Sequence, residues 1–366
     1  MTLRVALVGG PMYDHLYTLL DQADVEIVVH ADHPTLNRRV AELLGAGERL
    51  DLIATHSKYA PSQAQWLRPL DTLVDAGELA PLAVDLCRFD GALLCVPRLI
   101  DVRIMWSRLP HPPTTWVALA ASDVAFGFSG RESGLFGTFF ELVVGAGGQL
   151  FTDDGRPCID SPEAVAAVEL LCQLAARAPD DLPDWHYDQV DAALLDGRVD
   201  AAGMWPGAWG AVWSAQNDTE CGSVATRRLE PFRYPGGSQR WVSYAGCHAW
   251  AIPTTCGNMP AATALLTTLM DAPAHSLDAR GGSVCAHVGA FAAVQPVDDT
   301  DRHRLQIITD TIEQAMITYP PHPRFPEVED IGWQAIHNAL CGRTSPAAAV
   351  ADIQRHAERI LADTPG

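Results

Sequence analysis

The chain has 366 residues, a net charge of −20, and 48% hydrophobic against 19% charged residues. This length favours two domains over a single core, and the composition is that of a folded rather than a disordered protein. The excess of acidic residues argues against nucleic acid or an anionic membrane as partner. The sequence contains no run of ~18 apolar residues, so we expect no transmembrane helix.

The first third of the chain alternates predicted strands and helices. A helical face is formed by Leu36, Val40, Leu43 and Leu44. The predicted elements around it are a strand at 3–8, a helix at 13–21, a strand at 25–30 and a strand at 51–55. Strand–helix alternation predicts a parallel sheet with helices on its faces, and ligands bind at the carboxyl ends of such strands.

Two loops at these strand ends carry candidate ligand contacts. The first turn contains Gly10 and Tyr13, and its glycines would let backbone N–H groups approach a ligand. It lacks the GxGxxG pattern of dinucleotide sites, so we expect no nucleotide cofactor. The loop after the third strand contains His56, Ser57, Lys58 (the chain's single lysine) and Tyr59. This chemistry suits a polyhydroxylated ligand, and a solvated loop is nearly as good an interpretation.

The next segment, around 98–108, is extended and charged, and we interpret it as the crossing into a second lobe. Its alternating charges are Arg98, Asp101 and Arg103. Buried charges are costly unless they are paired or contact a polar ligand. Asp101 therefore either accepts hydrogen bonds from ligand hydroxyls or forms a structural Asp–Arg clasp.

In the second lobe, Trp205, Trp209 and Trp213 are spaced to share one helical face after a predicted strand. An indole is a good platform for a sugar ring, and the alternative is that all three belong to the core. We favour Trp205 most and Trp213 least.

A predicted strand then carries Tyr244, Gly246, His248 and Trp250 in alternation, so one face of it can contact a ligand. Gly246 would allow close ligand approach, His248 is more often structural, and Arg324 lies in a proline-rich loop.

Signatures of catalysis and metal binding are weak. GxSxG, HExxH and P-loop patterns are absent, so we expect no catalytic residues, no metal and no cofactor. His30, His33 and His56 could converge at strand ends, but their spacing makes a poor metal site.

Several segments resemble the family 1 extracellular solute-binding proteins, the carbohydrate receptors of bacterial ABC importers. They are 51–71 (DLIATHSKYAPSQAQWLRPLD), 91–108 (GALLCVPRLIDVRIMWSR), Thr115-Trp116, 244–253 (YAGCHAWAIP), and 324–342 followed by Ser345-Pro346. The resemblance covers nearly the whole chain and depends on the order and spacing of these segments.

The resemblance implies a two-lobe α/β fold of the periplasmic-binding-protein type II class, with a mainly parallel sheet in each lobe and a hinge of crossing segments. Lobe 1 would be 1–102 plus 245–292, and lobe 2 would be 103–244 plus 293–366. It further implies a monomer that closes on a carbohydrate or polyol outside the cytoplasm, delivers it to an ABC permease and breaks no bond.

Two alternatives stay open. The chain begins Met1-Thr2-Leu3-Arg4 without a signal peptide and has nine cysteines in no CxxC pattern, which favours buried, reduced thiols. One alternative is therefore a cytosolic enzyme or sensor on the same fold. Its candidates for chemistry would be the neighbourhood of His30, His33 and His56, or His248, or Cys247. A second alternative is an anionic ligand bound by Lys58, Arg98, Arg103 and Arg324.

Overall fold

The computed structural model describes residues 2–217 and 228–362. Its strands, in chain order, are β1 (Leu3–Val8), β2 (Val25–Ala31), β3 (Leu52–His56), β4 (Arg88–Phe89), β5 (Ala92–Leu93), β6 (Val96–Val102), β7 (Ile104–Ser107), β8 (Phe126–Gly127), β9 (Ala201–Met204), β10 (Glu230–Phe232), β11 (Ser243–Ala251), β12 (Val284–Cys285) and β13 (Met316–Ile317).

The α-helices are α1 (His33–Gly45), α2 (Ala60–Gln63), α3 (Pro81–Leu86), α4 (Trp116–Ala120), α5 (Glu132–Gly145), α6 (Pro162–Ala175), α7 (Tyr187–Leu195), α8 (Trp209–Asn217), α9 (Met259–Met270), α10 (Ala272–Arg280), α11 (Val288–Ala292), α12 (Asp299–Gln314), α13 (Phe325–Leu340) and α14 (Pro346–Ala362). Within the described ranges, none of the helices is both long enough and apolar enough to cross a membrane.

The chain divides into two compact units. Unit 1 comprises Met1–Asp101, Gly246–Gln295 and Pro321–Pro323, and unit 2 comprises Val102–Ala245, Pro296–Pro320 and Arg324–Gly366. The lobe boundaries predicted from the sequence stay a prediction. They include residues 1, 218–227 and 363–366, which lie outside the described part of the chain.

The sheet of unit 1 has the strand order β12-β6-β11-β3-β1-β2. β1 pairs in parallel with both β2 and β3, as the strand–helix alternation predicts. The helix after β2 begins at His33, and the side chain of the preceding Asp32 caps it by accepting a hydrogen bond from the backbone N–H of Thr35. Leu36, Val40 and Leu44 form its buried face. The segment before β2 is also helical, but Asp14–Gln22 has 3₁₀ geometry.

The sheet of unit 2 has the order β10-β7-β9-β8 and differs from the predicted, mainly parallel arrangement. β8 and β9 are parallel, whereas β7 is antiparallel to both β9 and β10. Strand direction was not visible in the sequence because side chains alternate with the same period in both orientations. Serine caps begin two of its helices, α6 and α14, since Ser161 and Ser345 each accept a hydrogen bond from the backbone N–H three residues on.

Candidate functional site

Three histidines, an aspartate and a tyrosine meet in unit 1, near the carboxyl ends of β1 and β3. We call them the histidine cluster: Tyr13, His33, His56, Asp101 and His248. His248 is central, because its Nε2 lies 3.0 Å from an Asp101 carboxylate oxygen and 3.0 Å from the Tyr13 hydroxyl. Its Nδ1 lies 2.9 Å from Nε2 of His33, and His56 Nε2 lies 3.8 Å from the same Asp101 oxygen.

Strand register brings the cluster together. β11 runs antiparallel to β3, with His248 directly opposite His56, so the two rings lie on one face of the sheet. His33 begins α1, and Asp101 lies near the end of β6. The sequence therefore predicted His56, Asp101, His248 and Tyr13 individually, but not their contacts. Of the expected trio, His33 and His56 converge, while His30 pairs with Asp14 at 2.8 Å.

Burial sets the charge of the cluster. His56 and His248 are 6% exposed and Asp101 is 9% exposed. Burial lowers the pKa of His56 well below its usual value, and the electrostatic interactions with the His248 and His33 rings and with the Lys58 ammonium lower it further. The pKa of His33 is also lowered well below its usual value, first by burial and then by His248 and Lys58. Both rings are therefore neutral at pH 7.

The loop after β3 is attached to β11 rather than solvated throughout. The backbone N–H of Ser57 donates to the Cys247 carbonyl at 2.8 Å, and the Ser57 hydroxyl accepts from the Cys247 N–H at 3.1 Å. Tyr59 is buried, and the Lys58 ammonium lies 4.8 Å from the centroid of its ring. Ser57 and Lys58 are half-buried, whereas His56 and Tyr59 are buried.

The two predicted glycines have different roles. Gly10 has φ +128°, a conformation that favours glycine, and its N–H donates to Asp14 at 3.2 Å. At Gly246, a Cβ atom would lie 2.2 Å from Cε1 of His56. The close approach expected of a ligand at Gly246 is therefore made by the His56 ring.

In unit 2, Arg103 forms a buried, two-point ion pair with Glu141. The Nη2–Oε2 distance is 2.5 Å and the Nε–Oε1 distance is 3.2 Å. Glu141 also accepts from the backbone N–H of Tyr244 at 2.7 Å. Burial raises the pKa of Glu141 to about 7, and the charge of Arg103 opposes that rise. This pair holds β7, α5 and the start of β11 together.

Of the predicted aromatic contacts in unit 2, two are buried and one is half-buried. Trp209 is 6% exposed and stacks on Trp106 with centroids 5.8 Å apart, as expected for a core residue. Tyr244 is also buried, and its ring centroid lies 4.5 Å from that of Tyr319. Trp205 is half-buried, packs edge-on against Tyr244, and lies 5.2 Å from the Arg103 guanidinium.

The remaining charged candidates already have partners. Arg98 binds Asp278 at 2.8 and 2.9 Å, so the proposed Asp101–Arg clasp is wrong, since each residue pairs elsewhere. Arg324 pairs with Glu327 at 2.6 Å and donates to the Ile360 carbonyl, which joins α13 to the end of α14.

A family comparison identifies the chain. The model of the bacterial extracellular solute-binding proteins matches residues 21–276, well over half of the chain. The protein belongs to this family. The predicted resemblance is confirmed, and the family is described as extracellular.

Solved structures of similar fold cover nearly the whole chain. A maltose-bound protein of T. maritima, MalE3, has a TM-score of 0.84 at 21% identity, covering 98% of this chain and 100% of that one. A solute-binding protein of Thermotoga lettingae TMO, bound with α-D-tagatose, has a TM-score of 0.83 at 19% identity and covers 98% and 99%. One of Agrobacterium radiobacter K84, in complex with ribitol, has a TM-score of 0.81 at 19% identity and covers 98% of each chain. The predicted type II periplasmic-binding fold is confirmed.

Two features of this solute-binding protein escaped the sequence analysis. Glu141 carries no local pattern, because its partner lies 38 residues away. Asp191 follows Tyr187 by one helical turn, and the Tyr187 ring lies 5.7 Å from that of Trp205. Burial and the neighbouring Asp188 raise the pKa of Asp191 to about 8.

The expected burial of the cysteines is met in part. Cys87, Cys95, Cys247 and Cys285 are buried free thiols, while Cys158, Cys172, Cys256 and Cys341 are half-buried. Cys221 lies outside the described residues.

Proposed function

We propose that this solute-binding protein is the receptor of an ABC importer for a carbohydrate or polyol, and that it binds its ligand without breaking a bond. The family supports the receptor role, and the maltose, tagatose and ribitol named for the similar structures support the ligand class. A location outside the cytoplasm, a permease partner and a monomeric state belong to the same proposal.

The histidine cluster is the observation that carries the proposal. It offers imidazole nitrogens, a carboxylate and a phenol hydroxyl, with His248 within hydrogen-bonding distance of Tyr13, His33 and Asp101. Such mixed donors and acceptors match hydroxyl groups, which both donate and accept. We therefore assign ligand contacts in unit 1 to Tyr13, Lys58, Asp101 and His248.

Trp205 is the proposed contact in unit 2. It is half-buried, whereas Trp209 and Tyr244 are committed to packing. A tryptophan face gives a large apolar contact to the C–H groups of a sugar ring. Ser57, Tyr59, Gly246 and Arg103 are then supports of the site, and closure of two lobes on the ligand stays a prediction.

Charge pairing favours a neutral ligand over an anionic one. Arg98, Arg103 and Arg324 each bind a carboxylate of their own unit. An anion would have to compete with these carboxylates, since the guanidinium groups already have two-point partners.

Thermal unfolding with a ligand panel tests the proposal. The panel contains mono-, di- and trisaccharides, polyols, sugar acids and phosphorylated polyols, each at the same concentration. A ligand at ~100 times its dissociation constant stabilises the folded state by roughly 2.7 kcal/mol, which raises the Tm by a few degrees. A shift with neutral sugars or polyols supports the proposal. A shift with sugar acids alone, or none with a folded protein, contradicts it.

A further inference from the structure

We propose that His56, Asp101 and His248 bind a divalent transition-metal ion, for which zinc has the most suitable chemistry. Two imidazoles and a carboxylate are a ligand set that zinc uses with a water or further ligand in the fourth position. This proposal replaces the sequence-based expectation of no metal, and it does not depend on the identity of the solute.

The three side chains are already close enough to share an ion. Each offers one ligand atom, and these atoms lie within 4.8 Å of one another. The pairs at Asp101 are 3.0 Å and 3.8 Å apart. Ligand atoms in a tetrahedral zinc site are about 3.3 Å apart, because each bond is about 2.0–2.1 Å long. Closing the three atoms around an ion therefore requires movements on the order of 1 Å.

His33 orients the central ligand. In the tautomer of His248 that carries its proton on Nδ1, this N–H donates a hydrogen bond to Nε2 of His33, 2.9 Å away. The lone pair on His248 Nε2 then points at the Asp101 carboxylate. Two lone-pair atoms at 3.0 Å repel unless a cation lies between them, and that cation is a proton or a metal ion. A hydrogen bond to the second ring nitrogen is the common support of a metal-bound histidine. Tyr13, 3.0 Å from His248 Nε2, borders the fourth position.

His56 must change its tautomer to take part. Its Nδ1 accepts a hydrogen bond from the Lys58 backbone N–H at 3.1 Å, which leaves the ring proton on Nε2 of the neutral ring. Coordination through Nε2 moves this proton to Nδ1 and breaks the Lys58 bond. Metal binding therefore has a signature in the ring nitrogens that a purely structural cluster would not give.

Zinc titration of the full chain tests the proposal without any sugar, so its failure is separable from failure of the receptor assignment. The protein is stripped with a chelator, dialysed, and titrated with zinc by calorimetry. We expect one ion per chain, and nitrogen-detected NMR of the histidine rings should show the His56 proton moving from Nε2 to Nδ1. Cobalt substitution should give the visible absorption of a tetrahedral site.

Variants locate the ion. Asp101→Asn and His248→Gln remove a ligand and should weaken zinc binding by at least roughly 100-fold, whereas His33→Gln, which removes only the support, should weaken it by roughly 10- to 100-fold. His30→Ala is the matched control, because His30 also pairs with an aspartate in unit 1 but has no third ligand among the described groups. Its zinc affinity should equal that of the wild type.

Asp101→Asn is nearly isosteric, so it keeps the test valid if His248→Gln folds poorly. Thermal unfolding shows whether each of the two variants is folded. Absence of zinc binding, or zinc binding unchanged in Asp101→Asn, would overturn the proposal. The cluster would then be held by a proton between His248 and Asp101.

Discussion

Unit 1 and unit 2 hold their functional charges in different ways. In unit 2 the charge of Arg103 is permanent and is matched by Glu141 through two hydrogen bonds. In unit 1 the Asp101 carboxylate faces His56 and His248, side chains that carry no permanent charge. The comparison indicates that the Arg103 pair is a fixed structural element, while the histidine cluster can respond to what binds it.

Removing the fixed pair should have the largest effect. Arg103→Met leaves the Glu141 carboxylate buried without its cation, and we expect a loss of about 3–5 kcal/mol in the free energy of unfolding. Urea denaturation measures this loss. Arg39→Met is the control, because the Arg39–Glu42 pair is exposed and should contribute little. Equal small losses in both variants would show that the buried pair is not structural.

Crowding the histidine cluster should have a smaller effect. The Cβ of Gly246→Ala would lie 2.2 Å from Cε1 of His56, a ring that is itself buried. Overpacking of this kind costs about 1–3 kcal/mol, which thermal or urea unfolding can measure. In Gly45→Ala the nearest contact of the added carbon is 3.7 Å, so that variant should be at least as stable as the wild type. An unchanged stability of Gly246→Ala would mean that His56 has room to move.

A buried histidine outside the cluster should make unit 1 sensitive to acid. Burial lowers the pKa of His275 from 6.5 to about 4, so the unfolded state binds more protons between these values. Stability is therefore lost as the pH falls below about 6.5, by about 2 kcal/mol near pH 5. His275→Leu removes the titrating group, and its pH profile of unfolding should be flatter by that amount. Parallel profiles for the two proteins would contradict the lowered pKa.

The sequence allowed the fold to be predicted further than the site. Local apolar patterns predicted β1 and most of the buried face of α1. The antiparallel direction of β7 was missed because no local pattern encodes strand direction. At the site, Asp101 and His248 were predicted separately, whereas their pairing depends on strands that are distant in sequence.

Packing was the least predictable property of the candidate residues. Trp205 and Trp209 have the same sequence spacing to the next tryptophan, yet Trp209 is buried against Trp106 and Trp205 is half-exposed. Gly246 was expected to admit a ligand and instead admits His56. Both outcomes depend on residues from other elements, which the local sequence does not contain.

The central claim, that the histidine cluster and Trp205 bind a neutral sugar or polyol, is tested most directly by calorimetric titration of four proteins. These are the wild type, Asp101→Asn, Trp205→Ala, and Trp213→Ala as the tryptophan control in α8. The ligand is the neutral sugar or polyol of the panel that raises the Tm most. We expect Asp101→Asn and Trp205→Ala each to bind it roughly tenfold or more weakly than the wild type does. Trp213→Ala should bind as the wild type does. Unchanged affinity in both site variants would contradict the account.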